Sequence, residues 1–271
     1  ISKSEVKKMN EPLEGSFEGI GVVFQMMEDT LLVIQTISGG PSEKVGIMAG
    51  DRFIMVNDSS IAGVKMQNTD IMKRLRGPKG TSVRVKVLRR GVKDLIEFKI
   101  VRDKIPIFSL DAAYMVDDEI GYIKINRFSS TTFAEYKAAF EKLKKKGMKS
   151  LILDLQDNGG GYTSAAIELA DEFLSEGKMI VYTEGVNQLK ETHESTAKGD
   201  FEMGNLVVLV NESSASASEI VSGAIQDWDR GVIIGRRTFA KGLVQKPVGL
   251  PDGAQIRLTV ARYYTPTGRC I

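Results

Sequence analysis

Apolar and polar positions change rhythm once along this chain. Through its first hundred or so residues, short apolar runs are punctuated by Gly, Pro and Asp: "GIGVVFQM", "TLLVIQTI", "DRFIMVND", "TSVRVKVLRR" and "LIEFKIV". Short runs rich in Val and Ile and bounded by turn residues predict strands. One helix is expected among them, in "MQNTDIMKRLRG", closed by Gly77 and Pro78. From about Pro106 the strand-like runs alternate with longer amphipathic segments. "TTFAEYKAAFEKLKKKG" puts Phe133, Tyr136, Phe140 and Leu143 on one face, with Thr132 and Glu135 at capping-box spacing and Gly147 as the stop. The alternation runs on through "SLILDL", "YTSAAIELADEFLS", "MIVYTEG", "NLVVLV", "SASEIVSGAIQDWD", "GVIIG", "LVQKPVGL" and "AQIRLTVARYY". This predicts an α/β half with a mixed sheet. The stretch "EGVNQLKETHESTAKGDFEMG" is polar enough to read as an exposed, mobile loop. The expected division is an N-terminal segment 1–14, a sheet-rich domain 15–103 and an α/β domain 104–271.

Composition narrows the function classes. The 271 residues are 42% hydrophobic, enough for two cores, and 37 basic against 35 acidic residues leave a net charge of +2. That balance argues against a broad nucleic-acid surface. No apolar run approaches the roughly 18 residues of a membrane-spanning helix. A single cysteine, Cys270, excludes an internal disulfide framework and a cysteine-based zinc site. Neither a metal nor a cofactor is expected.

Three segments carry candidate chemistry. "NESSASASEI" follows the apolar run "NLVVLV", so its serines fall at a strand-to-helix passage. One of them can simply cap the helix. A helix N-terminus, with its partial positive charge and unpaired N–H groups, also suits a nucleophile and a developing oxyanion. "DLQDNGGGY" sets three glycines at a second such passage, where bare N–H groups form either a flexible turn or an oxyanion cradle. It has neither the Lys-Ser/Thr of a P-loop nor dinucleotide-fingerprint spacing. A serine nucleophile needs a base. The one histidine, His193, lies in the polar "KETHES" and reads as an exposed structural residue. Lys241, in "RRTFAKGLVQ", lies between Phe239-Ala240 and Gly242-Leu243-Val244. It is expected either to be buried among those apolar groups, which suits a lysine to accept a proton, or to snorkel at a strand start.

Together these segments resemble the C-terminal processing peptidases, or tail-specific proteases, a serine-lysine family. "SASASE", Ser214 to Glu219, is similar to the family's nucleophile region, with Ser213 where glycine is usual. "TFAKGLVQ" resembles its base segment with Ala240 for glycine, and the glycine turn matches with Gln156 in place of arginine. The 25-residue separation of Ser216 and Lys241 also agrees. The resemblance implies Ser216 as nucleophile, Lys241 as base, Gln245 as its orienting partner, and an oxyanion hole from Gly160, its neighbour Gly161 and Ala217.

The first half is similar to a PDZ domain in "GSFEGIGV", "GPSEKVGIMAGDRFIMVND" and "LRGPKGT". PDZ domains take a C-terminal peptide as an added strand. The resemblance implies a peptide site at Gly19, Ile20, Gly21 and Val22, with Met72 and Leu75 on the helix side, and a regulatory role for Arg76 between the two halves. It further implies a crotonase/Clp-like mixed-sheet α/β core, substrates with free C-termini and an extracytoplasmic setting in the periplasm or cell envelope. Oligomerisation would run through terminal regions missing from a trimmed fragment. Two rivals remain: a catalytically silent PDZ module that binds tails, and a coenzyme-A enzyme of the crotonase type.

Overall fold

The computed structural model describes residues 1–271, apart from the side chain of Ser4. The chain divides into two compact units, one of residues 16–107 and the other of residues 1–15 with 108–271. Helix α1 (Lys3–Glu14) belongs to the latter, held there by the Ser130 N–H and hydroxyl, which donate to the carbonyls of Leu13 and Glu14.

The unit of residues 16–107 contains β1 (Ser16–Gly19), β2 (Val22–Met27), β3 (Thr30–Thr36), α2 (Pro41–Lys44), β4 (Arg52–Val56), β5 (Ser59–Ser60), α3 (Asn68–Leu75), β6 (Ser82–Leu88), β7 (Ile96–Val101) and β8 (Asp103–Pro106). Its main sheet runs β2-β3-β4-β6-β7, which leaves β2 as an edge strand. Alternation decides the register: Val83, Val85 and Val87 of β6 are buried, while Ser82, Arg84 and Leu88 are exposed. A one-residue slip would turn all three valines to water. These valines pack with Leu31, Phe53 and Ile71 in a core of the unit's own. Arg102, only 8% exposed, donates to the carbonyls of Arg74 and Leu75, filling acceptors that the end of α3 leaves open.

The other unit adds β9 (Leu110–Met115), β10 (Ile120–Ile125), α4 (Thr132–Lys145), β11 (Ser150–Asp154), α5 (Thr163–Asp171), β12 (Met179–Gly185), β13 (Gln188–Glu194), β14 (Asn205–Val210), α6 (Ala217–Asp227), β15 (Val232–Gly235), β16 (Leu243–Gly249) and β17 (Gln255–Tyr264). Five strands form one sheet in the order β15-β14-β11-β10-β9; the first four are parallel and β9 is antiparallel. A second sheet, β13-β12-β17-β16, is antiparallel. Helices α4, α5 and α6 supply Tyr136, Phe140, Leu169, Val221 and Ile225 to a core shared with Ile123, Leu153 and Val208 of the five-stranded sheet. In parallel sheets, functional loops gather beyond the carboxyl ends of the strands. Here the loops after β11, β14 and β15 leave three adjacent strands.

Two expectations are corrected. The part of the polar stretch that holds His193 is not a loop: residues 188–194 form β13, paired antiparallel with β12. Its backbone bonds supply the order, and with no buried face it shows no apolar alternation. Helix α4 is capped by Thr131, not Thr132, and Glu135 accepts from the Thr131 hydroxyl and the Ser109 N–H rather than from a Thr132 cap.

Candidate active site

Asn211 follows β14, and the serines after it divide into structural members and one exception. Ser214 is fully buried, accepts the Asn211 N–H at 2.9 Å and donates to the Leu155 carbonyl at 2.8 Å. Ser218, also buried, donates to the Asn158 carbonyl at 2.9 Å. Exposed Ser213 gives its N–H to Asn211 Oδ1. Ser216 differs: it is half-buried at the head of α6, with φ 56° and ψ −108°. A non-glycine residue in that region carries strain of roughly 1–3 kcal/mol, held in place by its surroundings.

The restraint comes from Glu219, in the first turn of α6. Its carboxylate is 6% exposed and accepts the N–H of Ser216 at 2.7 Å, of Ala240 at 2.7 Å and of Lys241 at 2.9 Å. One buried carboxylate therefore joins the turn before α6 to the segment after β15. Ala240 has φ +67°, also in the left-handed region. The replacement of glycine there leaves a Cβ in a conformation costing about 1–2 kcal/mol.

The glycine turn after β11 lies against the same serine segment. A Cβ at Gly160 would stand 2.7 Å from the Ala215 carbonyl oxygen, 2.9 Å from Ser216 Cβ and 3.1 Å from the Ala217 nitrogen, so glycine is required for this approach. Asn158 organises the contact from full burial. Its side chain donates to the Ile125 carbonyl and accepts the Gly160 N–H, both at 2.9 Å, and its own carbonyl accepts the Ala215 N–H at 3.0 Å. The Gly160 N–H is thus engaged. Among the described residues no hydrogen bond engages the N–H of Gly161 or of Ala217. Gln156 donates its N–H to Asp154 and takes a bond from Lys124 at its carbonyl, so its main chain is braced.

Lys241 is exposed, the second of its two expected settings, just ahead of strand β16. Phe239 and Leu243, the neighbours expected to cover it, are themselves 64% and 45% exposed. Among the described residues no hydrogen bond is made by Lys241 Nζ. Gln245 is exposed on β16, beside a register shift that follows Val244. His193 Nε2 lies 3.8 Å from Glu191 on β13. No group of three or more His, Cys, Asp or Glu side chains is placed to hold a metal among the described residues.

In the unit of residues 16–107, Gly19 to Val22 turn from β1 into the edge strand β2, with Gly21 at φ +74°. The Ile20 carbonyl accepts both the N–H and the hydroxyl of Ser42, and no hydrogen bond engages the Ile20 or Gly21 N–H among the described residues. Beside this turn is a cavity of about 150 Å³ lined by Ile20, Val22, Phe24, Met72 and Leu75. Arg76 lines it too, its guanidinium 4.4 Å from the centre of the Phe17 ring.

Residues 119–271 match the model of peptidase family S41. The chain belongs to that family. Residues 19–100 match the PDZ domain model, so an S41 protease core here accompanies a PDZ domain. The carboxy-terminal processing protease CtpA of Bacillus subtilis is 36% identical across the whole chain, and a carboxy-terminal-processing protease of Bartonella bacilliformis is likewise 36% identical. The chain spans 57% and 62% of the length of these relatives. Among solved structures, the photosystem II D1 C-terminal processing protease aligns over the whole chain and 73% of its own, with 30% identity and a TM-score of 0.57. The tricorn protease, at 20% identity and TM-score 0.53 over 89% of this chain and 24% of its own, shares the fold.

Two residues that organise the candidate site were not singled out from sequence. Asn158 lies inside "QDNGGG", where the glycines drew the reading. Glu219 stands three residues after Ser216, a spacing that signals an N-terminal cap and that here also ties in residues 240 and 241.

Proposed function

We propose that this S41 chain is a serine endopeptidase that captures protein C-terminal tails with its PDZ domain and cleaves peptide bonds through Ser216 and Lys241. The observation that carries the reading is Ser216 itself. It is the half-buried member of a serine segment whose fully buried members are committed to structure, strained at a helix N-terminus against a glycine turn, and its N–H shares the Glu219 carboxylate with that of Lys241.

In this mechanism Lys241 Nζ accepts the Ser216 Oγ proton as Oγ attacks the peptide carbonyl. The Ala217 N–H and an N–H of the glycine turn stabilise the oxyanion. Of the turn's two candidates, Gly161 is free to donate, whereas Gly160 would have to release Asn158 Oδ1. The lysine ammonium protonates the leaving amine and an ester forms on Ser216. Water, deprotonated by the same lysine, then hydrolyses the ester and the proton returns to Oγ. Gln245 orients Lys241, and the exposed Lys241 side chain must turn towards Ser216 for the first step. Arg76 acts as a regulatory residue, so Arg76→Ala changes turnover more than tail affinity; equal changes would retire that role. An extracytoplasmic location and assembly through regions present in the longer relatives belong to the same reading.

The test is cleavage of peptides with free or amidated C-termini by the wild type, Ser216→Ala and Lys241→Ala, read by mass spectrometry. Cleavage abolished by both substitutions and weakened by amidation is expected. The exposure of Lys241 favours a second reading, a tail-binding protein without catalysis. Intact tail binding with no wild-type cleavage would establish that instead.

A further inference from the structure

The groove between β2 and α3 has a second cavity at its far end. Val22, Phe24 and Met26 are the half-buried positions of β2, alternating with exposed Val23, Gln25 and Met27. Val22 and Phe24 line the 150 Å³ cavity beside the carboxylate turn. Met26 lines another of about 460 Å³, together with Lys65, Met66, Gln67, Asn68 and Thr69. The two cavities therefore share one strand face and opposite ends of one helix, Met72 and Leu75 bordering the first, Asn68 and Thr69 the second.

A peptide whose carboxylate sits at Gly19 to Val22 runs antiparallel to β2, because that turn precedes the strand. Its side chains alternate, so the last residue, the third from the end and the fifth from the end face the groove. Val22 and Met26 are four residues apart, about 13 Å at strand rise, which brings the fifth residue from the end alongside Met26.

The second cavity holds one carboxylate, Asp29, and one ammonium, Lys65, and the two differ in how far they are engaged. Asp29 also lines it, but is half-buried and accepts the Lys65 N–H at 2.8 Å. Asp70, the next acid along α3, is paired with Lys73 at 3.0 Å. The Lys65 side chain is exposed and has no ion pair among the described residues. Two thioethers can flank a methylene stem, while an ammonium, two amides and a hydroxyl can receive a carboxylate.

Resting on the tail-capture reading, we propose that this groove has a second subsite, which selects glutamate as the fifth residue from the end of a captured tail. The last side chain enters the Val22–Leu75 cavity and the glutamate enters the Met26–Lys65 cavity. The two ends together read sequence that a lone terminal pocket would pass over.

The test uses the full chain as Ser216→Ala, so that binding is read without cleavage, and free-carboxylate peptides that differ only at the fifth residue from the end: Glu, Ala or Lys. Fluorescence anisotropy should give the Glu peptide about threefold tighter binding than Ala, the factor of a partly exposed ion pair, and the Lys peptide the weakest. Adding Lys65→Glu, a change at an exposed site, should reverse the Glu and Lys order while the Ala peptide binds as before. Three peptides of equal affinity, all lost on amidation, would overturn the second subsite and keep tail capture. Binding indifferent to amidation would overturn tail capture itself.

Discussion

The two segments that meet at Glu219 are built in opposite ways. The serine side is enclosed: Asn158, Ser214, Ser218 and Glu219 are all buried, and their side chains bond to main chain from β10 to the segment after β15. The lysine side is open, with Lys241, Leu243 and Gln245 exposed and the strand attached through its pairing with β17. On the proposed mechanism, rigidity is placed where a strained nucleophile and an oxyanion site need fixed geometry, and the lysine proposed to carry protons is left free to move.

Five substitutions break or sharpen this contrast. Asn158→Ala should have the largest effect, about 2–4 kcal/mol of stability, because a buried donor and acceptor lose their partner and a cavity remains; denaturant unfolding measures it. Glu219→Gln should cost about 1–2 kcal/mol and slow cleavage, because a carboxamide would set an NH₂ against one of three N–H groups. Unchanged turnover in that variant would show that the tie between the segments is dispensable. On the open side, Ala240→Gly should stabilise by about 0.5 kcal/mol, the strain at φ +67° less the greater freedom of glycine in the unfolded chain. Lys241→Ala should leave stability within about 0.5 kcal/mol while abolishing cleavage.

The smallest effect belongs to the far end of α6. Burial raises the Asp227 carboxyl, but the nearby Thr265 hydroxyl and hydrogen bonds from Thr267 and Arg269 outweigh it and hold it below the ordinary carboxylate range. A depressed folded value means that Asp227 stabilises the fold above its unfolded value and that the contribution is lost as pH falls through the folded one. The difference in Tm between wild type and Asp227→Asn should therefore shrink in acid. A difference that stays constant with pH would assign it to packing.

Legibility followed burial. Val83, Val85 and Val87, or Tyr136, Phe140 and Leu143, announce their elements by period because each fills a core. Strand β13 has no such signature, since its order comes from main-chain bonds to β12 that any polar side chain permits. Of the candidate site, the serine segment, glycine turn and lysine segment were legible as motifs, and three neighbouring parallel strands explain why they meet. The roles of Asn158 and Glu219 were hidden, because a side chain that accepts N–H groups from distant segments leaves no local pattern. For Lys241 the sequence left burial and exposure both open, because apolar neighbours in sequence need not be neighbours that cover it.

The dependence of the site on distant strands also bears on biosynthesis. Gly160 can meet Ala215 and Ser216 only after β14 has joined β11, and the segment holding Lys241 is fixed by β16, which pairs with residues up to 262. A nascent chain emerging from the ribosome therefore carries residues 16–107 complete while the segments around Ser216 are still apart. On the proposed mechanism, the nucleophile acquires its geometry only after residues 240 and 241 have been made and share Glu219 with Ser216, so a half-synthesised chain has no assembled site.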